Sequence, residues 1–517
     1  MLKNLKNIAV VSLSTVGSRV LGLVRDILIF AALGTSLWNS AFIMAFTLPN
    51  LFRRLLGEGA LTSAIVPVFS DVMEREGREG AFAFLNQVLL RLLLALLVLV
   101  AGGMCLFVFL GQRGHLPERW ALGSELAVVL LPYMIFICLA AIVCAGLNLM
   151  GRFAIAASTP IVLNVSMIAA VAAGMWLSED QAKIVYWLCA GVLLGGLLQL
   201  LLPAWDLMRQ GWRPRFAPKA SAELHELWRL FLPGLMGAAI LQVNILVSRL
   251  LAYTLDDSAV SMLYLASRLM ELPLGIFTIA VATVFFPLLA RSVSAGDHSG
   301  FSDALSQGMR LVVGISFPAG IGLCVLGEPI LDLLFQWGAF NRADVIATIP
   351  LVAIYGLGLP FYSAATFATR GLHASKEMKT PVRVAGLCLL INAMLGLLLM
   401  QFFGASGLAS ANVIAALVQS VLLWRALSAK EAGISFARLR PAFTKILLAG
   451  LLMGGYCALG LTVIDVFGLV DKLRAVVAVA LLVPSGVAFY FALLYLFRFE
   501  ELDGMVGLLK RFLPGRK

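Results

Sequence analysis

Charge is scarce in this chain. Only 13% of its 517 residues are Asp, Glu, Lys or Arg, against 61% that are hydrophobic, and the mean hydropathy is +0.97. So few charges cannot clothe a water-soluble core, which excludes a soluble globule. Histidine is rarer still, with four residues, and the seven cysteines at 105, 138, 144, 189, 324, 388 and 457 form no CxxC pair and have no histidine at ligand spacing. A metal or redox centre is therefore not expected, and the cysteines read as small packing residues. There is no nucleophile-base pair and no Gly-rich phosphate loop, so an enzyme is not expected. No small-residue cleavage site interrupts the first apolar run, which is read as a retained span and not as a signal peptide. The sequon at Asn164 lies inside a span and carries no glycosylation meaning.

What the chain does have is long apolar runs. A helix rises about 1.5 Å per residue and the hydrocarbon layer is roughly 30 Å thick, so a run of about 18 residues suffices to cross it. Breaking the sequence at charge clusters and Gly/Pro/Asn turns gives spans near 7–34, 37–69, 82–111, 122–150, 153–178 and 183–208, then 227–253, 258–290, 302–328, 343–373, 380–403, 405–428, 438–464 and 473–498. The expectation is an all-α polytopic membrane protein with about 14 transmembrane helices. A β-barrel is excluded, because barrel strands alternate apolar and polar residues and these runs are continuous.

Basic clusters at Lys3 and Lys6, at Arg209, Arg213, Arg215 and Lys219, at Lys376, Lys379 and Arg383, at Lys430, Arg438 and Arg440, and at Lys510, Arg511, Arg516 and Lys517 all fall on one side of this topology. The positive-inside rule makes that side cytoplasmic and places both termini there. The formal charge of +11 thus points to anionic membrane lipid and away from nucleic acid.

A weak repeat divides the chain. The second and eighth spans each carry a Leu-Pro pair, Leu48-Pro49 and Leu272-Pro273, then a second proline, Pro67 and Pro287, then a polar, glycine-containing turn. These prolines predict bent or broken helices. Six helices separate the copies, which predicts two parallel six-helix lobes around a central cavity, plus two extra C-terminal helices. The expected segments are a lobe at 1–208, a basic cytoplasmic linker at 209–226, a lobe at 227–430, two additional helices at 431–498 and a basic tail at 499–517.

Four arginines, Arg19, Arg25, Arg53 and Arg268, stand inside these spans. An arginine at mid-bilayer costs about 2.5–3.5 kcal/mol on insertion scales, so several together should line a hydrated interior. Arg19 and Asp26 share one helix face and Arg25 lies about 120° away. The structural alternative is that Arg25 pairs with Asp26 or another acid while Arg19 snorkels. Asn50 and Arg53 are three apart in the run PNLFRRLLGEG at 49–59, an interrupted helix that belongs beside a cavity. Forked guanidinium groups suit a diphosphate, and lysine is nearly absent from these spans. Arg268 has Glu271 at i+3, where a local salt bridge and a positioned ligand both stand open.

These residues carry a resemblance. SRVLG at 18–22 with Arg25-Asp26, LPNLFRR at 48–54, GEGA at 57–60, SRLME at 267–271 with Pro273, and KTP at 379–381 resemble, in order and spacing over essentially the whole chain, the MurJ (MviN) lipid II flippases. That family belongs to the multidrug/oligosaccharidyl-lipid/polysaccharide exporter superfamily. The resemblance implies export of undecaprenyl-diphosphate-linked disaccharide-pentapeptide from the inner to the outer leaflet of the bacterial cytoplasmic membrane by alternating access, with membrane lipids and the cell-wall synthesis machinery as partners.

It also implies that Arg19, Arg25 and Arg268 form a cavity triad with Arg53 as a further cation. Glu58 and Arg370 would form a cytoplasmic gate, with Glu271 as a further gate residue, and the last two spans a groove for the polyprenyl tail. The chain departs from relatives at the start of the second span, where Asn39 and Ser40 replace an acid, which weakens an outer gate built on that acid. Where relatives bind sodium through acids it has Gln242, Asn244, Ser248 and Asn392. No cofactor is expected, and the membrane potential is the expected drive. The alternatives are a flippase for another polyprenyl-diphosphate oligosaccharide, a cation-coupled drug antiporter, which would want carboxylates in its cavity, and a scaffold, which has no reason to bury charge.

Overall fold

The structure, a computed structural model, describes residues 2–57, 60–112, 117–218, 221–430, 433 and 435–502. Glu58, Lys219 and the basic cluster from Lys510 to Lys517 lie outside the described residues. All regular structure among those described is helical, as lipid requires of a spanning chain that must satisfy its own backbone polar groups.

The chain forms two compact units. The first, Met1–Ser261 with Trp337–Phe340, holds α1 (Leu2–Leu33), α2 (Leu37–Phe52), the π-helical turn π1 (Arg53–Gly57), α3 (Ala60–Gly111), α4 (Glu118–Leu130), α5 (Tyr133–Leu149), α6 (Phe153–Leu177), α7 (Gln181–Arg209) and α8 (Ala222–Leu255). The helix α9 (Ala259–Pro273) begins there and runs on into the second unit, Met262–Gln336 with Asn341–Lys517. That unit continues with π2 (Leu274–Thr278), α10 (Ile279–Ala295), α11 (His298–Leu334), α12 (Arg342–Ala374), α13 (Lys379–Lys430), α14 (Phe436–Val466) and α15 (Asp471–Leu496).

Among the described residues, nine helices are long and apolar enough to cross a membrane, or ten if the bent pair α4–α5 is one span. The expected spans fall on helices, and several share one. A 52-residue helix such as α3 or α13 would run about 78 Å if straight, more than twice the hydrocarbon thickness. Each is divided by a glycine outside the helical region, Gly77 at φ 69° and Gly404 at φ 54°.

At the proline-bearing spans the helix widens into a π turn just after the first proline of each pair, and residues Ala259–Ala295 still form one span. Proline withholds one backbone donor, and the wider π turns π1 and π2 follow Pro49 and Pro273 closely. Helix continues through Pro67 and Pro287.

In the first unit α6 packs along α1 and α7, α5 against α7 and α3, and α8 against α3. In the second, α11 is the central post, packed on α12, α10, α14 and α15. Polar caps fix the helix starts. Asp297 accepts from the Gly300 amide at 2.8 Å ahead of α11, and Asn341 with Asp344 forms a reciprocal capping box ahead of α12.

Candidate functional site

On α1 the arginines have different surroundings. Arg25 has 12% of its side chain exposed and Asp26 only 2%. The Arg25 guanidinium donates twice to Asp26 Oδ1, from Nε at 3.0 Å and Nη2 at 2.6 Å, and from Nη1 to Asn164 Oδ1 of α6 at 3.1 Å. Asn164 returns a bond from Nδ2 to the Ser18 carbonyl at 3.0 Å. A carboxyl group this deep needs a partner, which the Arg25 guanidinium supplies, while the bonds between Asn164 and both Arg25 and Ser18 tie α1 to α6. Arg19 is half-buried on the same helix and makes no hydrogen bond or ion pair among the described residues.

Arg53 is the first residue of π1, and its Nε donates to Asn50 Oδ1 at 2.8 Å. The three-residue spacing thus brings this pair together, and the amide oxygen sets the direction of the guanidinium plane. In the second unit Arg268 Nη1 donates to Glu271 Oε2 at 3.2 Å, with 31% and 47% of their side chains exposed. Of the two roles open for Glu271, the local salt bridge is formed. Arg370 is exposed on α12, and its expected mate Glu58 is outside the described residues.

Two residues escaped the sequence reading. Arg249 of α8 donates Nη1 to Thr47 Oγ1 of α2 at 2.5 Å, and Thr47 in turn donates to the Ile43 carbonyl at 2.6 Å. Its signal was the one used for the other arginines, a guanidinium inside an apolar span. Asn164 was set aside with its sequon, yet a buried asparagine in lipid needs partners, and it has them on α1.

The second unit contains an apolar cavity of about 360 Å3 bounded by the α9–π2–α10 segment, α11, α14 and α15. Phe277, Leu326, Met453, Leu482, Val487 and Phe491 line it. Tyr490 closes one wall by donating to the Gly314 carbonyl at 2.7 Å. Outside the spans, the hydrogen bond from Lys430 and the Thr380 amide pull the Glu377 carboxyl down to about 2. Among the described residues no group of three or more His, Cys, Asp or Glu is placed to hold a metal ion.

The family profile described as "Lipid II flippase MurJ" matches residues 29–477. A "Probable lipid II flippase MurJ" of Rhizobium meliloti (strain 1021) is 35% identical over 430 residues, covering 82% of this chain and 80% of the relative. One of Thermotoga maritima is 31% identical over 510 residues, 97% of this chain and 98% of the relative. A solved structure titled "Lipid II flippase MurJ, inward closed conformation" superposes with a TM-score of 0.78 at 28% identity, covering 94% of this chain and 98% of that one. A structure titled "Inward-facing conformation of a multidrug resistance MATE family transporter of the MOP superfamily" gives a TM-score of 0.66 at 14% identity, over 79% of this chain and 94% of that one, which shows the fold alone. On a profile that spans most of its length and relatives aligned over 82% and 97% of it, the chain belongs to the lipid II flippase MurJ family.

Proposed function

We propose that this protein flips lipid II, the undecaprenyl-diphosphate disaccharide-pentapeptide, from the inner to the outer leaflet of the bacterial cytoplasmic membrane by alternating access. The observation that carries the reading is chemical. Guanidinium groups recur inside membrane helices, and one of them, Arg19, has no partner among the described residues. A diphosphate is the ligand that forked, charge-assisted donors fit best.

In this reading Arg19 and Arg53 grip the diphosphate, Asn50 orients Arg53, and the Arg25–Asp26–Asn164 cluster holds α1 in place beside it while the Arg25 guanidinium adds donors. Arg268, steadied by Glu271, completes the set from the second half of the chain. The apolar cavity lined by α14 and α15 takes part of the polyprenyl tail. Glu58 and Arg370 close the cytoplasmic side as a charge pair. The chain crosses the membrane fourteen times in two parallel six-helix lobes and two added helices, with both termini in the cytoplasm. The membrane potential drives the cationic site, at about 2.3 kcal/mol per charge per 100 mV. The cell-wall synthesis machinery receives the product.

Complementation of a strain depleted of its own flippase tests the reading. Wild type restores growth, and Arg19→Ala, Arg53→Ala and Arg268→Ala do not, at unchanged protein levels. Rescue by all three variants contradicts it. For the cytoplasmic gate, Glu58→Arg and Arg370→Glu each fail singly and recover together. A double swap without recovery counts against the pair.

A further inference from the structure

The loop joining α11 to α12 belongs by chain to the second half, yet residues Trp337–Phe340 are part of the first unit. They seat on the end of α1. The Ala339 amide donates to the Ala31 carbonyl at 2.7 Å, and the Phe340 ring packs edge-on against Phe30 with centroids 5.7 Å apart. Both rings are 1% exposed.

Two glycines allow this approach. Gly338 has φ 56° and Gly34 φ 60°, in the left-handed region where a side chain is strained. A Cβ on Gly338 would fall on the Ala31 carbonyl, and one on Gly34 would lie 2.8 Å from the Ala339 carbonyl oxygen. The neighbouring start of α2 is neutral and fastened. Asn39, fully buried, donates Nδ2 to the Gly34 carbonyl at 2.6 Å, and Ser40 bonds Ser261 across 3.2 Å.

We propose that Gly338 and Phe340 are positioning residues for transport, and that this loop is the outer latch of the flippase. The place where an acidic outer gate would stand holds Asn39 and Ser40, so closure here rests on a backbone hydrogen bond and a ring contact. The loop's two ends run directly into α11 and α12, while its middle grips α1, the helix that carries Arg19 and Arg25. Release of a bulky head to the outer side must lift 337–340 off α1. A latch without charges closes without desolvating an ion pair and opens without separating one, and it does not titrate. The inference rests on the orientation proposed above, which puts the end of α1 and this loop on the outer face.

A cross-link decides it. A Cβ built on Gly34 lies 3.6 Å from Ala339 Cβ, within the roughly 3.5–4.5 Å that a disulfide spans. In a background with the seven native cysteines replaced by alanine, Gly34→Cys with Ala339→Cys is reconstituted and treated with a mild oxidant. Flipping of lipid II in proteoliposomes then falls at least about tenfold and returns on reduction, because locking a gate stops turnover. Failure to cross-link, or flipping that survives the cross-link, overturns the latch while leaving the lipid II reading intact. If the reduced and the wild-type proteins also fail to flip lipid II, both ideas fall.

Because a cysteine at position 34 meets strained backbone, Phe340→Ala serves as a second variant. Exchange of the Ala339 amide speeds up at least about tenfold while α6 and α7 keep their protection, and the flipping rate departs from wild type by at least about threefold. Protection or flipping equal to wild type overturns the proposal.

Discussion

The two Leu-Pro segments share a backbone device and differ in what they present. After Pro49 the chain loosens into a π turn, Arg53–Gly57, that begins with two arginines. After Pro273 it loosens into Leu274–Thr278, whose Phe277 faces an apolar cavity. A π turn displaces side chains from the regular helical register and is frequent at functional sites. In the proposed function the same π turn serves opposite ends of an amphiphile, a diphosphate at one copy and a hydrocarbon tail at the other.

The contrast is broken most severely by removing charge from the first copy. Charge-assisted hydrogen bonds contribute roughly 1.5–3 kcal/mol each, so Arg53→Ala or Arg19→Ala is expected to lower lipid II flipping in proteoliposomes by about 100-fold. Arg53→Lys keeps the charge and loses the fork, and recovers only part of the rate. Arg25 behaves differently, because Arg25→Ala strips the buried Asp26 of a guanidinium that donates to it twice. Breaking such a pair costs about 3–5 kcal/mol, so the protein level itself should fall. Arg25→Ala with Asp26→Ala restores much of the thermal midpoint without restoring flipping. A single variant as stable as wild type would remove the structural part of Arg25's role.

A smaller effect is expected at the second copy's cavity. Met453→Trp overfills the slot, at a packing cost of about 1–3 kcal/mol. Flipping of full-length lipid II should drop several-fold, while an analogue with a short isoprenoid chain is flipped as before. Equal losses for both lipids would deny that the slot receives the tail.

The smallest effect lies at the turn after α12, where Lys430 and the Thr380 amide hold Glu377 at about 2. A carboxyl depressed in the folded state stabilises above its ordinary value of about 4.3 and loses that contribution as the pH falls toward about 2. Glu377→Gln should lower the thermal midpoint slightly at neutral pH, and the gap to wild type should narrow through that window. A constant gap would mean that the Lys430 bridge contributes nothing.

Much of the helical layout was legible because lipid imposes a simple code of long apolar runs separated by polar turns. Helical spacing placed Asn50 beside Arg53, and it made the bond between Arg268 and Glu271 one of the two roles open to that acid. Illegible was whatever depends on a neighbour from a distant span. Asn164 could not be matched to Arg25 across 139 positions, nor Arg249 to Thr47 across 202. The seating of Trp337–Phe340 on α1 was equally hidden, because a short Gly-containing loop between two spans reads as an ordinary turn until its carbonyl and ring partners are seen.

The most direct test of the central claim is binding to the purified protein in detergent, comparing lipid II, undecaprenyl monophosphate and an organic cation by native mass spectrometry. The account predicts tightest binding of lipid II, weaker binding of the monophosphate, little binding of the cation, and loss of the diphosphate preference in Arg19→Ala and Arg53→Ala. Equal retention of monophosphate and diphosphate lipids by wild type, or a preference for the organic cation, would contradict it.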